Sequence, residues 1–183
     1  VSEFLRILAT LLVAISPAAV AAAVHHAGLR LHSRTIAIAA ALAIAVYAAA
    51  AFGADALLAG IDIEPETFRV SAGLVMVAGG VFTIWSGSAG YSGELDSRSA
   101  ALFPLAVPLL ASPSGLAAVL SHSADGETGA ALAAAVVVVG LAAAVLRARL
   151  GRIRATADGV ARLSGALLIA FAGAMIVDGI RAV

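Results

Sequence analysis

Six stretches of this 183-residue chain contain no Asp, Glu, Arg or His, and nothing constrains its fold more tightly. They are Ile7–Val24 (18 residues), Thr35–Ala54 (20), Val70–Gly93 (24), Ser99–Ser121 (23), Thr128–Leu146 (19) and Leu163–Val177 (15). A helix rises about 1.5 Å per residue, so roughly 20 apolar residues cross a hydrocarbon layer of about 30 Å. A soluble domain would need charged faces to surround such stretches. With 62% hydrophobic and 12% charged residues, this chain lacks them. The expected fold is an all-α integral membrane protein of six transmembrane helices, the last run extended by Asp178–Gly179–Ile180. The chain has no Cys, which excludes a disulfide scaffold, a thiolate metal site and a thiol nucleophile.

The first run reads as a spanning helix rather than a cleaved leader. Arg6 alone charges its start, no small-residue cleavage pattern opens onto a polar segment, and Ser16–Pro17 interrupts its middle. The connections alternate in sign. One set holds Arg30, Arg34, Arg98, Arg147, Arg149, Arg152, Arg154 and Arg162 against Glu94, Asp96 and Asp158, a balance of +5. The other holds Arg6, Arg69 and Arg181 against Glu3, Asp55, Asp62, Glu64, Glu66, Asp125, Glu127 and Asp178, a balance of −5. Basic short loops stay cytoplasmic, so both termini are expected outside and the Arg-rich 147–162 loop inside, held there by anionic lipid. The net charge is zero, and no nucleic-acid partner is implied.

The two halves echo each other. Ser16–Pro17 in the first run returns as Ser112–Pro113 in the fourth, an offset of 96. Arg69–Val70–Ser71–Ala72–Gly73–Leu74 with Gly80 returns as Arg162–Leu163–Ser164–Gly165–Ala166–Leu167 with Gly173, an offset of 93. Matches of Ala on Ala count for little in a chain with 48 alanines, but Ser–Pro at mid-helix and Arg-x-Ser-x-x-Leu do not arise cheaply. Residues 1–92 and 93–183 are therefore expected to be repeats of three helices each. An odd number of crossings inverts the second copy, an arrangement common among secondary transporters, which bind substrate between repeats.

Pro17 and Pro113 lie deep in their runs. A helix-interior Pro removes one N–H and clashes with the carbonyl four residues back, so the helix kinks or breaks. In the fourth run Pro104, Pro108 and Ser112–Pro113–Ser114–Gly115 argue for a full break. Ser16 and Ser112 precede proline, which biases them towards extended backbone, and their hydroxyls could cap the half-helices that follow. A half-helix N-terminus near Ser114 and Gly115 would present N–H groups suited to a carboxylate. The candidate binding site is thus Ser16, Pro17, Ser112, Pro113, Ser114 and Gly115. The bland alternative is two kinked helices whose freed carbonyls are satisfied by serine hydroxyls.

Elsewhere the chain offers little chemistry. His25, His26 and His32 lack matched metal-ligand spacing, and His122 with Asp125 and Glu127 reads as a solvated turn; no metal or other cofactor is expected. The serines at depth have no base at depth, so an intramembrane hydrolase is not expected. Asp55 and Asp178 stand near helix ends as boundary markers or gate residues, and Trp85 reads as an interfacial anchor. Gly73, Gly80 and Gly87 lie seven apart, and Ala166, Ala170 and Ala174 four apart. Both sets are expected to bring helices together, within the chain or in a homodimer.

Phe103–Pro104–Leu105–Ala106–Val107–Pro108–Leu109–Leu110–Ala111–Ser112–Pro113–Ser114–Gly115 resembles a Pro-Leu-Ala-(Ile/Val)-Pro-Leu-(Leu/Ile)-Ala-Gly-Pro-Gly signature of the MarC family, in the lysine-exporter-like superfamily of bacterial membrane proteins. Ile15–Ser16–Pro17 stands where that family usually has Asn-Pro, and Phe68–Leu74 with Gly79–Gly80 resembles its third helix. The resemblance implies an inner-membrane protein with six helices and outward termini, moving small neutral amino acids or similar metabolites. A channel-like or non-transporting protein on the same scaffold is the alternative. The family's Asn and two flanking glycines are here Ser16, Ser112 and Ser114, which changes the polarity of the expected site.

Overall fold

The computed structural model describes residues 2–26, 31–87, 101–148 and 154–182. Among these, every element is helical. In order they are α1 (Ser2–Ile15), α2 (Pro17–His26), α3 (Ser33–Gly60), α4 (Pro65–Ser86), a widened π-helical segment (Ala101–Leu110), α5 (Pro113–His122), α6 (Thr128–Arg147) and α7 (Arg154–Ala182). Arg30, Glu94, Asp96, Arg98, Arg149 and Arg152, with the side chains of His25, His26 and Arg154, lie outside the described residues.

The helix ends follow from local sequence. Pro65 and Pro113 open α4 and α5, where the missing N–H costs no helical bond. Gly87 at φ 55° ends α4. Between α5 and α6 the turn Ser123–Glu127 reverses direction through Gly126 at φ 85°, a left-handed conformation open to glycine. Among the described residues, five stretches are long and apolar enough to cross a membrane. One of them, Pro113–Arg147, comprises α5, this turn and α6. The chain is therefore an all-α membrane protein with multiple spanning helices.

The packing pairs elements from the two halves. α1 lies against α6, and Ala101–Leu110 lies against α3. α2 contacts α7 and α6, while α5 contacts α4 and α3. α3 also meets α6, and α4 with α7 forms the most extensive pair. Leu11, Ile15, Tyr47, Met76, Leu110, Val119, Val138 and Leu168 belong to the buried core between them.

α4 and α7 run antiparallel with their backbones nearly touching. A Cβ on Gly80 would lie 2.7 Å from the Gly165 carbonyl oxygen, and one on Gly165 would lie 2.7 Å from that of Gly80. A Cβ on Gly73 would lie 3.0 Å from the Ala172 carbonyl oxygen, and one on Gly179 would lie 3.0 Å from that of Glu66. The expected glycine face of α4 thus packs as anticipated. The alanine face of α7 does not: Ala166, Ala170 and Ala174 are exposed. The contacting side carries Gly165, Ile169, Ala172, Ile176 and Gly179. The reason is geometric. At 3.6 residues per turn, a strict spacing of four drifts about 40° per step, whereas alternating steps of four and three hold one face towards a neighbour.

Candidate functional site

The first break is a left-handed residue. Ser16 stands at φ 45° between α1 and α2, not in the extended backbone anticipated for a residue before proline. Its N–H donates to the Leu12 carbonyl at 3.0 Å, the single bond that closes many helix C-termini at a left-handed residue. That geometry terminates α1 while Pro17 starts α2 afresh. The side chain caps neither helix. Instead, Ser16 Oγ donates to Ser164 Oγ of α7 at 3.1 Å.

The second break follows the expected form. Ala111 and Ser112 are non-helical between Leu110 and Pro113. Ser112 is extended (φ −69°, ψ 148°), and its Oγ accepts from the Gly115 N–H at 3.0 Å, an N-cap of α5. The same hydroxyl donates to the Ala14 carbonyl of α1 at 3.1 Å. Tyr47 of α3, fully buried, donates from its phenol to the Leu110 carbonyl at 3.0 Å. A Cβ on Gly115 would collide with that Tyr47 oxygen, so glycine serves here by its size. Ser114 Oγ points at the backbone of Gly79 on α4, where a Cβ would likewise collide with it.

The two breaks are therefore in contact. Ser112 bonds to a residue two positions before Ser16, and Ser16 reaches across to α7 rather than to Ser112. Ser16, Pro17, Ser112, Ser114 and Gly115 are buried, while Pro113 is exposed. The N–H of Gly115, anticipated as open to an anion, is occupied by the serine cap. Carbonyls freed near the breaks are satisfied by Ser112 and Tyr47, as lipid surroundings demand. Tyr47 escaped sequence reasoning because one tyrosine in an alanine-rich run carries no local mark of its partner 63 residues away.

A polar cavity of about 300 Å³ opens where α1, α4, α5 and α7 end together. Thr10, Ser121, Phe171 and Met175 form part of its wall, and Arg6, Arg69, Asp125 and Asp178 contribute charge. His122 also lines it and is buried, with Nδ1 2.7 Å from Glu127 Oε2. Arg69 pairs with Asp125 across α4 and the α5–α6 turn. The solvated turn anticipated at His122, Asp125 and Glu127 is thus one wall of a vestibule, because α1 and α7 cover it. Asp178 lines this cavity. Asp55 lines a separate one with Asp62 and Glu64, so the two do not meet in a single gate. At a helical rise of about 1.5 Å, the nine residues from Ser121 to Ser112 place the vestibule roughly 13 Å from the second break.

Among the described residues, no group of three or more His, Asp or Glu is arranged to hold a metal ion. The full chain, residues 1–183, matches the family described as MarC family integral membrane protein. No curated protein and no solved structure matches it.

Proposed function

Because the chain belongs to the MarC family of integral membrane proteins, we propose that it is a secondary transporter of small neutral amino acids or similar small metabolites in the bacterial inner membrane. Residues 1–92 and 93–183 act as inverted three-helix repeats, giving six crossings with both termini outside and the Arg-rich 147–162 loop in the cytoplasm. The packing supports this division. Exchanging α1 with Ala101–Leu110, α2 with α5, α3 with α6 and α4 with α7 converts one set of contacts into the other: α1–α6 into Ala101–Leu110–α3, α2–α7 into α5–α4, and α2–α6 into α5–α3. The exchange is partial, since α1 also meets α5 and α7 while Ala101–Leu110 makes no comparable contact with α2 or α4.

The observation that carries the reading is the bond from Ser112 Oγ to the Ala14 carbonyl, which supports two broken helices meeting between the halves. Ser16, Pro17, Ser112, Pro113, Ser114 and Gly115 shape the substrate site. In this closed arrangement the serines bond to protein groups, and a substrate carboxylate and ammonium replace those bonds as one half rocks against the other. Asp178 sits on the outer approach and Asp55 marks the neighbouring boundary. The α4–α7 glycine contact is used within one chain, so a homodimer would need another face.

Counterflow in proteoliposomes tests the proposal. Preloaded glycine, alanine or serine should drive saturable uptake of labelled substrate, and Ser114→Leu should abolish it. Flux that rises linearly with concentration and ignores Ser114→Leu would instead support a channel-like protein.

A further inference from the structure

The vestibule between α1, α4, α5 and α7 has the composition of a binding site in its own right. Two of its polar pairs are internally matched: the ion pair of Arg69 with Asp125, and the hydrogen-bonded His122 and Glu127. Others are not. The side chains of Arg6, Glu3 and Asp178, all three exposed, line the same cavity and make no hydrogen bond or ion pair among the described residues. Ser121 is 2% exposed, and its hydroxyl also lacks a hydrogen-bond partner among the described residues while facing the cavity. That hydroxyl is open to the cavity and free to accept or donate to a polar ligand there.

We propose that this vestibule is an outer binding site for a small zwitterion, distinct from the central breaks. The ligand carboxylate meets Arg6 and the Ser121 hydroxyl, and its ammonium meets Asp178 and Glu3. Phe171 and Met175 supply an apolar wall for a short side chain. The volume, about 300 Å³, lies at the small end of ligand pockets and suits a molecule of few heavy atoms. An anion alone would leave the carboxylates unmatched, and a cation alone would leave Arg6 unmatched. Only a ligand carrying both signs uses every free group. The assignment does not rest on the central site being a carrier site.

The test is equilibrium binding to the full chain in lipid nanodiscs, with L-alanine, propionate and propylamine as probes. Alanine should bind saturably, with propionate and propylamine at least tenfold weaker. Arg6→Gln and Asp178→Asn should each weaken alanine tenfold or more, and Ser121→Ala several-fold, with unchanged thermal unfolding in the absence of ligand. Ser114→Leu should remove at most a separate central binding event and leave intact the component that Arg6→Gln and Asp178→Asn weaken, even where it stops counterflow. Alanine binding that is absent, insensitive to Arg6→Gln and Asp178→Asn, or matched by either single-charge probe would overturn the assignment. If wild type binds alanine as described but shows no counterflow, the vestibule stands and the carrier reading fails. If counterflow proceeds with KM unchanged in both charge variants, the carrier reading stands and the vestibule fails.

Discussion

Ser112 Oγ donates to the carbonyl of Ala14 at 3.1 Å, joining two residues 98 apart in sequence. The same oxygen receives the Gly115 N–H, so one hydroxyl holds the start of α5 and the end of α1 together.

Removing that hydroxyl should therefore cost twice. Ser112→Ala loses an N-cap and leaves the Ala14 carbonyl without a donor. We expect a loss of about 1–2 kcal/mol, since intramembrane hydrogen bonds average below 1 kcal/mol and caps contribute about 1. Ser112→Thr keeps both bonds and should unfold near wild type. Thermal unfolding in a single detergent measures the difference.

Tyr47→Phe keeps the ring but removes the donor to the Leu110 carbonyl. The expected loss is about 1 kcal/mol. Because Gly115 packs against both the Tyr47 and Ser112 oxygens, the double variant Tyr47→Phe/Ser112→Ala should depart from additivity by about 0.5 kcal/mol or more. Additive losses would show that the two bonds do not share one local structure.

The α4–α7 contact predicts which glycines tolerate a methyl group. Gly80→Ala would place a Cβ 2.7 Å from the Gly165 carbonyl, and backbone cannot rotate away as a side chain can. Overpacking of this kind costs about 1–3 kcal/mol. Gly140, on α6, has nothing within 4 Å of the same position, so Gly140→Ala should be neutral or slightly stabilising. Paired melting curves of the two variants decide it.

Ser16 occupies a left-handed conformation that β-branched residues resist. Ser16→Asn and Ser16→Gly should fold like wild type, whereas Ser16→Val should lose about 1–3 kcal/mol. Equal melting temperatures for the Asn and Val variants would contradict the geometry of the first break.

Much of the architecture is legible in the residues themselves. Charge-free runs mark spanning helices because an ionised group in lipid is costly, and each Ser–Pro marks a break because proline lacks the N–H. The second break could be described in detail, since Ser112 and Pro113 supply cap and first turn from adjacent positions. Ser16 could not. Its left-handed turn depends on how α1 ends, and its hydroxyl is drawn to Ser164, 148 residues away. The exposed alanines of α7, one of which (Ala174) lines the vestibule, misled because small residues spaced by four occur on any face of an alanine-rich helix. The vestibule was invisible for a related reason. Its polar groups come from four separate helices and one turn, each bland alone, and only packing makes His122 a buried residue.

If the broken helices form a site reached alternately from the two sides of the membrane, position 114 opens to each side in turn. The chain contains no cysteine, so Ser114→Cys reports alone. Its modification rate by a membrane-impermeant thiol reagent, applied to one face at a time in oriented proteoliposomes, measures access directly. Modification is expected from either face, with substrate slowing one and hastening the other. Equal, substrate-independent modification from both faces, or none from either, would contradict alternating access.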